Sequence, residues 1–329
     1  MTGGVLITGG AGFIGSHLAD YLLACGRTVT VLDNFSSGQA ENLADARGKG
    51  DLRIVEGSIL DSSDVKRAID GCDEVYHLAV QCVRRSLADP LENHDVNATG
   101  TLKVLEAARR HGVRRFIYCS SSEVYGNCGA EWMTEDVTPC APVTVYGASK
   151  LAGEHYANAY WQTYGLSTIV VRPFNAYGPR AHETGKLAEV IPRFAIRLLN
   201  GLPPVIFGSG QNARDFTYVT DIARGIALAG NCDALVGRTV NIAYGRMITV
   251  SQVAQSIANL CGRPDLRPMY LDPRPGDVRV LQADTRRAAD LLGFRPELDF
   301  ENGLRRYISW FRRRHNDVSG LLEEELRNW

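Results

Sequence analysis

The chain has 329 residues, 45% of them hydrophobic and 22% charged, with 36 Lys and Arg against 37 Asp and Glu. That length buries a core without disulfide or metal staples, and a formal net charge of −1 provides no basic field to draw nucleic acid. The eight cysteines include no Cys-x-x-Cys and no Cys/His cluster at zinc-ligand spacing, and no uncharged apolar run approaches the about 18 residues of a membrane span. An apolar strand follows directly on Met1-Thr2-Gly3-Gly4, leaving no room for a basic leader and cleavage site. The expectation is a cytoplasmic protein with reduced thiols and small-molecule partners, without metal, nucleic acid or membrane.

Val5-Leu6-Ile7-Thr8 reads as a buried strand and Phe13 to Cys25 as a helix, with Ile14, Leu18, Tyr21, Leu22 and Cys25 at helical spacing. Between them runs Gly9-Gly10-Ala11-Gly12-Phe13-Ile14-Gly15. Glycines at 9, 12 and 15 suit a tight turn, close approach of backbone to a pyrophosphate, and close helix packing. The helix N-terminus then turns unpaired N–H groups toward the phosphates. Thr28 to Leu32 is a second strand, and Asp33 ends it, 18 residues past Gly15. A carboxylate there accepts hydrogen bonds from an adenine ribose and repels a 2′-phosphate, so NAD is expected rather than NADP.

Ile54-Val55 forms the core of a third strand and Glu74 to Leu78 a fourth; after a helix through Asn97 to Arg110, Arg115 to Ser120 is a fifth. Strands alternating with helices imply right-handed βαβ units, hence an α/β, Rossmann-type, doubly wound parallel sheet whose ligand lies beyond the carboxyl ends of its strands. His77 reads as structural, Trp132 and Trp161 as packing residues, and Arg84 and Arg85 suit a sugar-pocket wall or a solvated loop equally well.

Tyr146-Gly147-Ala148-Ser149-Lys150 opens the next helix and puts Tyr146 and Lys150 one turn apart on one face. A phenol of pKa about 10 is a poor base at neutral pH unless a nearby cation stabilises the phenolate. Lys150 supplies that cation and can also hydrogen-bond the nicotinamide ribose. Ser120-Ser121-Ser122, ending the fifth strand, makes the pattern specific.

Past about residue 175, Gly178-Pro179, Pro203-Pro204 and later prolines mark shorter, irregular elements. Helical patterns persist at Asp221 to Ala229, Val250 to Cys261 and Thr285 to Leu292. The expected division is an NAD-binding domain over 1–175 and a smaller, mainly substrate-binding lobe over 176–329, some of whose elements return to the first. Arg305-Arg306 and Arg312-Arg313-Arg314, diluted by Glu323-Glu324-Glu325, read as a solvated helix face.

Further motifs follow in order: Asp33-Asn34-Phe35, His77-Leu78-Ala79, Ser-Ser-Ser-Glu-Val-Tyr-Gly at 120–126, Arg172-Pro-Phe-Asn-Ala-Tyr-Gly-Pro-Arg180, Arg214-Asp-Phe-Thr-Tyr-Val219 and Arg274-Pro-Gly-Asp277. With them the chain resembles, over nearly its whole length, the extended short-chain dehydrogenase/reductase family in its nucleotide-sugar epimerase/dehydratase branch. The resemblance implies that Phe13, Ile14, Asn34, Ser58, Ile59, Leu78 and Ala79 join Gly9, Gly12, Gly15 and Asp33 around NAD. Ser58-Ile59 departs from the family, which often has an acidic residue after the position of Gly57 to contact the adenine.

The resemblance also makes Tyr146 the general base, Lys150 its helper, and Ser121 the hydroxyl on the sugar's 4-OH, with Ser122 beside it. Asn175, Arg214 and Arg274 would hold the diphosphate, whose charges suit forked arginine hydrogen bonds. Asp277 would meet the substrate's ribose, while Val205 and Phe207 cradle its base largely through backbone. A nucleotide-diphosphate sugar is the implied substrate, and a homodimer, paired through the helix near Asn97 and the helix of Tyr146, the implied assembly.

Hydride removal from sugar carbon 4 is the chemistry common to the branch. Glu123 matches a Ser-Glu pair of some 4,6-dehydratases and uronic-acid decarboxylases, where a carboxylate can take the carbon 5 proton. Ser122 stands where many dehydratases have an aspartic acid, and the Asp33-to-Gly38 and Arg-Pro-Gly-Asp segments look like ordinary 4-epimerases. Dehydration and 4-epimerisation therefore stand level. Decarboxylation ranks third, because Leu281 occupies the place of the decarboxylases' arginine. A non-catalytic NAD-binding scaffold on the same fold is opposed by the intact Tyr146, Lys150 and serine hydroxyl.

Overall fold

Val5 and Ile7 point into one apolar cluster and Leu6 into another, all three without exposed area. A strand covered on both faces belongs inside a parallel sheet sandwiched by helices. The computed structural model describes residues 3–129, 131–327 and 329 and builds a seven-stranded sheet. Its strands in chain order are Gly4–Thr8 (β1), Val29–Asp33 (β2), Leu52–Glu56 (β3), Cys72–His77 (β4), Arg115–Cys119 (β5), Thr168–Pro173 (β6) and Thr239–Ile242 (β7). They lie in the order β7-β6-β5-β4-β1-β2-β3, all paired in parallel. The chain winds outward from β1 to β3, then crosses to β4 and winds the other way. Its reversal opens a crevice at the carboxyl ends of β1 and β4.

Helices Phe13–Ala24 and Val219–Gly230 cover one face, contributing Leu18, Leu22, Ile222 and Ile226 to its core. Ser62–Ile69, Thr101–Arg110 and Val145–Tyr164 cover the other, with Val65, Val104 and Tyr160. A further core lies among helices Val190–Leu199, Val250–Cys261 and Phe300–Arg314. Beside it, among the described residues, run three small sheets, one of them the pair Ala176–Tyr177 and Thr217–Tyr218. Val205–Phe207 pairs with Met269–Leu271, and Ala213–Asp215 lies between Met247–Thr249 and Val280–Leu281.

Strand and helix ends differ from the sequence expectation by one or two residues, as frayed termini do. A larger difference lies at 83–110. The helix expected from Asn97 begins earlier, in Val83–Ala88 and Pro90–His94, and continues through a π-helical turn, Asp95–Gly100, into Thr101–Arg110. The start at Pro90 has a local cause: Asp89 accepts the Glu92 N–H at 2.9 Å and proline occupies the first helical position.

Beneath the carboxyl ends of β5 and β6, Glu154 accepts from Arg172 at 2.6 and 2.8 Å and from the Ser120 hydroxyl at 2.5 Å. Glu154 is 6% and Arg172 4% exposed. Removing one partner of such a pair strands the other charge without water. Glu154→Ala is therefore expected to lower unfolding free energy by about 3–5 kcal/mol, seen as a lower urea midpoint at unchanged slope. An unaltered midpoint would mean that the pair contributes nothing net.

Candidate active site

A cavity of about 470 Å³ occupies the crevice between the sheet's carboxyl edge and the second lobe, and all the site residues expected from sequence line it. Gly9 follows β1 at φ +70, where an added Cβ would fall 2.7 Å from the Ala79 backbone. A Cβ on Gly15 would lie 2.2 Å from the Gly9 carbonyl oxygen. Bare backbone is thus required where β1, the turn and the helix converge. Gly12 caps helix Phe13–Ala24 without a side-chain hydrogen bond, leaving the first-turn amides to a phosphate.

Asp33, 7% exposed at the end of β2, accepts the N–H groups of Ala11 and Phe35, each at 2.9 Å. Burial pushes its carboxyl up and these two donors hold it down. Each oxygen keeps lone-pair capacity for a ribose hydroxyl. Asn34 is exposed and turns its amide oxygen to Ser36, 2.8 Å from the hydroxyl. At the Gly57-Ser58 turn Asp64, which is not among the lining residues, accepts the Ser58 N–H at 2.9 Å. With Ile59, Leu78 and Ala79 as apolar wall, these residues fit a dinucleotide.

Thr144 caps helix Val145–Tyr164, its Oγ1 accepting the Gly147 N–H at 3.1 Å, and so fixes the turn bearing Tyr146 and Lys150. Lys150, 3% exposed, sets its Nζ 4.6 Å from the Tyr118 ring centroid. Burial pushes its ammonium down to about 8, opposed by Cys119 and Glu154. Burial drives the Tyr146 phenol up, a hydrogen bond with Ser121 opposes this, and the nearby Glu123 charge adds to the rise. Ser121 also accepts the Glu123 N–H at 3.2 Å. Ser122, 4% exposed, completes the floor.

On the facing wall, Asp277 accepts from Arg214 at 2.8 Å and Arg274 at 2.7 Å through one oxygen, and from Asn212 at 2.6 Å through the other. Asp277, expected at the substrate's ribose, thus clamps the two arginines together. Glu123 looks onto this cluster. Burial pushes its carboxyl up, Arg214 and Arg274 draw it down, and Asp277 pushes it up again. The buried amide oxygen of Asn175 has no hydrogen-bond partner among the described residues, as suits a group reserved for a ligand. Val205 and Phe207 alternate with Ile206 and so share one face of their strand.

Arg84 is half-buried and tied to backbone. From helix Val83–Ala88 its Nε and Nη2 donate to the carbonyls of Lys186 and Leu187 at 3.2 and 2.5 Å, joining two walls of the cavity. Arg85 turns to Gln81, 3.1 Å away. His77 is held between Thr8 and Thr101 hydroxyls at 2.7 and 2.9 Å, and burial pushes it down to about 3, so it stays neutral. Trp132, expected to pack, is 47% exposed, whereas Trp161 is half-buried against Gly237. Among the wall residues that escaped the sequence reading are Arg193 and Trp329. Arg193 gave a helical-spacing signal with Arg197; Trp329 gave none, being distant in sequence from every wall element.

Residues 5–243 match the NAD dependent epimerase/dehydratase family. UDP-glucose 4-epimerase of Mycolicibacterium smegmatis is 38% identical over 310 residues, spanning 93% of this chain and 98% of that protein. The structure of UDP-glucose 4-epimerase from Thermotoga maritima with UDP-glucose superposes with a TM-score of 0.88 at 35% identity, covering 94% of this chain and 99% of that one. That of the dTDP-glucose 4,6-dehydratase DesIV from Streptomyces venezuelae, solved with NAD, gives 0.89 at 33%, covering 97% and 99%. Glycine turn, Asp33 carboxylate and Tyr/Lys pair thus stand in a fold shared with NAD-bound enzymes, and NAD is the cofactor. The chain belongs to the NAD-dependent epimerase/dehydratase family, within the nucleotide-sugar branch of the extended short-chain dehydrogenases/reductases.

Proposed function

We propose that the protein oxidises carbon 4 of a nucleotide-diphosphate sugar to a ketone, eliminates water across carbons 5 and 6, and returns the hydride to carbon 6 with a proton to carbon 5, so that a 4-keto-6-deoxy sugar leaves and the cofactor ends oxidised as it began. One observation carries the elimination step: the Glu123 carboxylate lines the cavity with no hydrogen bond to its side chain among the described residues. A structural carboxylate at this place would be tied to backbone; this one is held for a ligand. The relatives of known activity include both 4-epimerases and 4,6-dehydratases.

Bound NAD supplies the hydride acceptor and, when oxidised, a positive charge that draws the Tyr146 phenol down. Tyr146 takes the 4-OH proton, directly or through Ser121, with which it is hydrogen-bonded. Lys150 holds a positive charge below its pKa of about 8 and favours the phenolate. Arg214, Arg274 and Asn175 orient the diphosphate. The ketone acidifies the carbon 5 proton, which Glu123 accepts; a carboxyl raised by burial is the stronger base. Ser122 faces the departing 6-hydroxyl. It is a weak acid, and this favours a second reading in which the ketone is rotated and reduced from its other face, giving the 4-epimer. Leu281, fully buried in an apolar cluster, brings no cation for decarboxylation.

The division of labour follows: residues 1–175 carry cofactor and acid–base groups, and 176–329 carry most of the nucleotide-sugar contacts. A homodimer is also proposed. Leu91, Leu102, Val145 and Tyr164 are exposed apolar side chains on helices Pro90–His94, Thr101–Arg110 and Val145–Tyr164, and sedimentation as a monomer would refute it. The eight cysteines are free, which suits a reducing, cytoplasmic setting. Among the described residues no helix is long and apolar enough to cross a membrane.

Tyr146→Phe is expected to lower kcat by about 10²- to 10⁴-fold while calorimetric NAD affinity stays unchanged. Loss of NAD together with turnover would show that Tyr146 builds the cofactor site instead. Purified protein given UDP-, dTDP-, GDP- and CDP-sugars in heavy water is expected to release one water and take deuterium at carbon 5, by mass spectrometry and proton NMR. Glu123→Gln should halt that exchange and spare hydride removal. An isomer of unchanged mass without deuterium would establish the 4-epimerase.

A further inference from the structure

Trp329 stands edge-on to Phe207, ring centroids 4.6 Å apart and planes 81° apart, and both rings line the cavity together with Val205 and Arg193. Rings at right angles make an apolar corner. Each is half-buried rather than enclosed, so aromatic surface remains open to the cavity.

The segment that brings Trp329 there is tied down along its length. His315 Nε2 lies 2.8 Å from Glu183 Oε2, and Asn200 Nδ2 donates to the Val318 carbonyl at 3.1 Å. Glu323 accepts the Gly185 N–H, and Arg193 donates to the Leu326 carbonyl. Arg327 pairs with Asp272 at 3.7 Å, and Val318 and Leu321 pack on the lobe's core. Several of these anchors fall on 183–193, a stretch that itself walls the cavity, so Trp329 is positioned by the same residues that shape the site. Arg193 has a second relevant feature: its buried Nη1 has no hydrogen-bond partner among the described residues.

A nucleotide sugar is ordered sugar, diphosphate, ribose, base. With the sugar at Tyr146 and Ser121 and the diphosphate at Arg214 and Arg274, the base must lie further along the wall, past the arginines. We propose that Trp329 adds a second aromatic wall, facing Phe207, to the nucleobase subsite that the resemblance places at Val205 and Phe207, with Arg193 donating to an acceptor on the base, so that this chain grips the base with side chains and not by backbone alone. This rests on the nucleotide-sugar reading above. Stacking on an aromatic face is available to any base, while the Arg193 donor favours one with an exposed carbonyl.

The test is calorimetric titration of the NAD-loaded full chain with UDP, dTDP, GDP and CDP, and with pyrophosphate as a baseless probe. Trp329→Ala is expected to weaken the best-bound nucleoside diphosphate about tenfold or more, with Trp329→Phe retaining most of the affinity. Pyrophosphate should bind wild type and both variants alike. Equal nucleotide affinity for wild type and Trp329→Ala overturns the proposal, as does an equal loss for pyrophosphate, which would make Trp329 a support for the arginines. A wild type that retains NAD yet binds none of the four nucleotides overturns the nucleotide-sugar reading, and the subsite with it.

Discussion

Glu154 and Arg172 exchange two hydrogen bonds where almost no water reaches them, and the catalytic half of the cavity is built outward from that contact. Glu154 lies one helical turn beyond Lys150, so the ion pair fixes the rotation of the helix that bears Tyr146. Through the Ser120 hydroxyl it also sets the exit of β5, from which Ser121, Ser122 and Glu123 follow. Arg172 reaches further, with its guanidinium 4.7 Å from the Tyr125 ring centroid, and the Tyr125 hydroxyl donates to Asn241 of β7 at 2.9 Å. Three strands and one helix are thereby registered by a handful of polar side chains. A pair like this is a poor source of net stability compared with apolar packing, and its value lies in the geometry it imposes.

The opposite wall has different electrostatics. Two arginines share a carboxylate oxygen of Asp277 and face Glu123, so the charges of the four groups balance before any substrate enters. A diphosphate would bring negative charge to the arginines and offset the positive potential that now draws the Glu123 carboxyl down. Anion binding and the protonation of Glu123 are coupled through the same two guanidinium groups.

Much of this could be read from the chain alone, where local chemistry forces a local structure. The turn at Gly9 to Gly15 is legible because only glycine tolerates those contacts, and β1 to β5 because residues covered on both faces must be apolar. The clustering of Ser121, Tyr146 and Lys150 was reached through motif order. Features set by tertiary proximity were not legible. Arg84 meets carbonyls about a hundred residues away, Asp64 braces the Ser58 backbone from outside the cavity, and Trp329 reaches Phe207 only because scattered polar contacts steer its segment. None of these has a period or a spacing to read. The helical run before Asn97 is a different case: Asp89-Pro90 is a local start signal that the sequence does carry, set among charged, weakly periodic residues.

The placement of β7 has an evolutionary corollary. Thr239–Ile242 completes the sheet beside β6 only after the chain has travelled through Val190–Leu199 and the strands near Phe207 and Arg214. That excursion is an insertion with both ends anchored in the cofactor-binding sheet. Such a segment can lengthen, shorten or change its side chains while its anchors stay fixed. The side chains facing a ligand can therefore change without moving the sheet, and a graft meant to exchange specificity must carry this segment together with the later stretch that bears Arg274, Asp277 and Trp329, rather than be cut at a domain boundary.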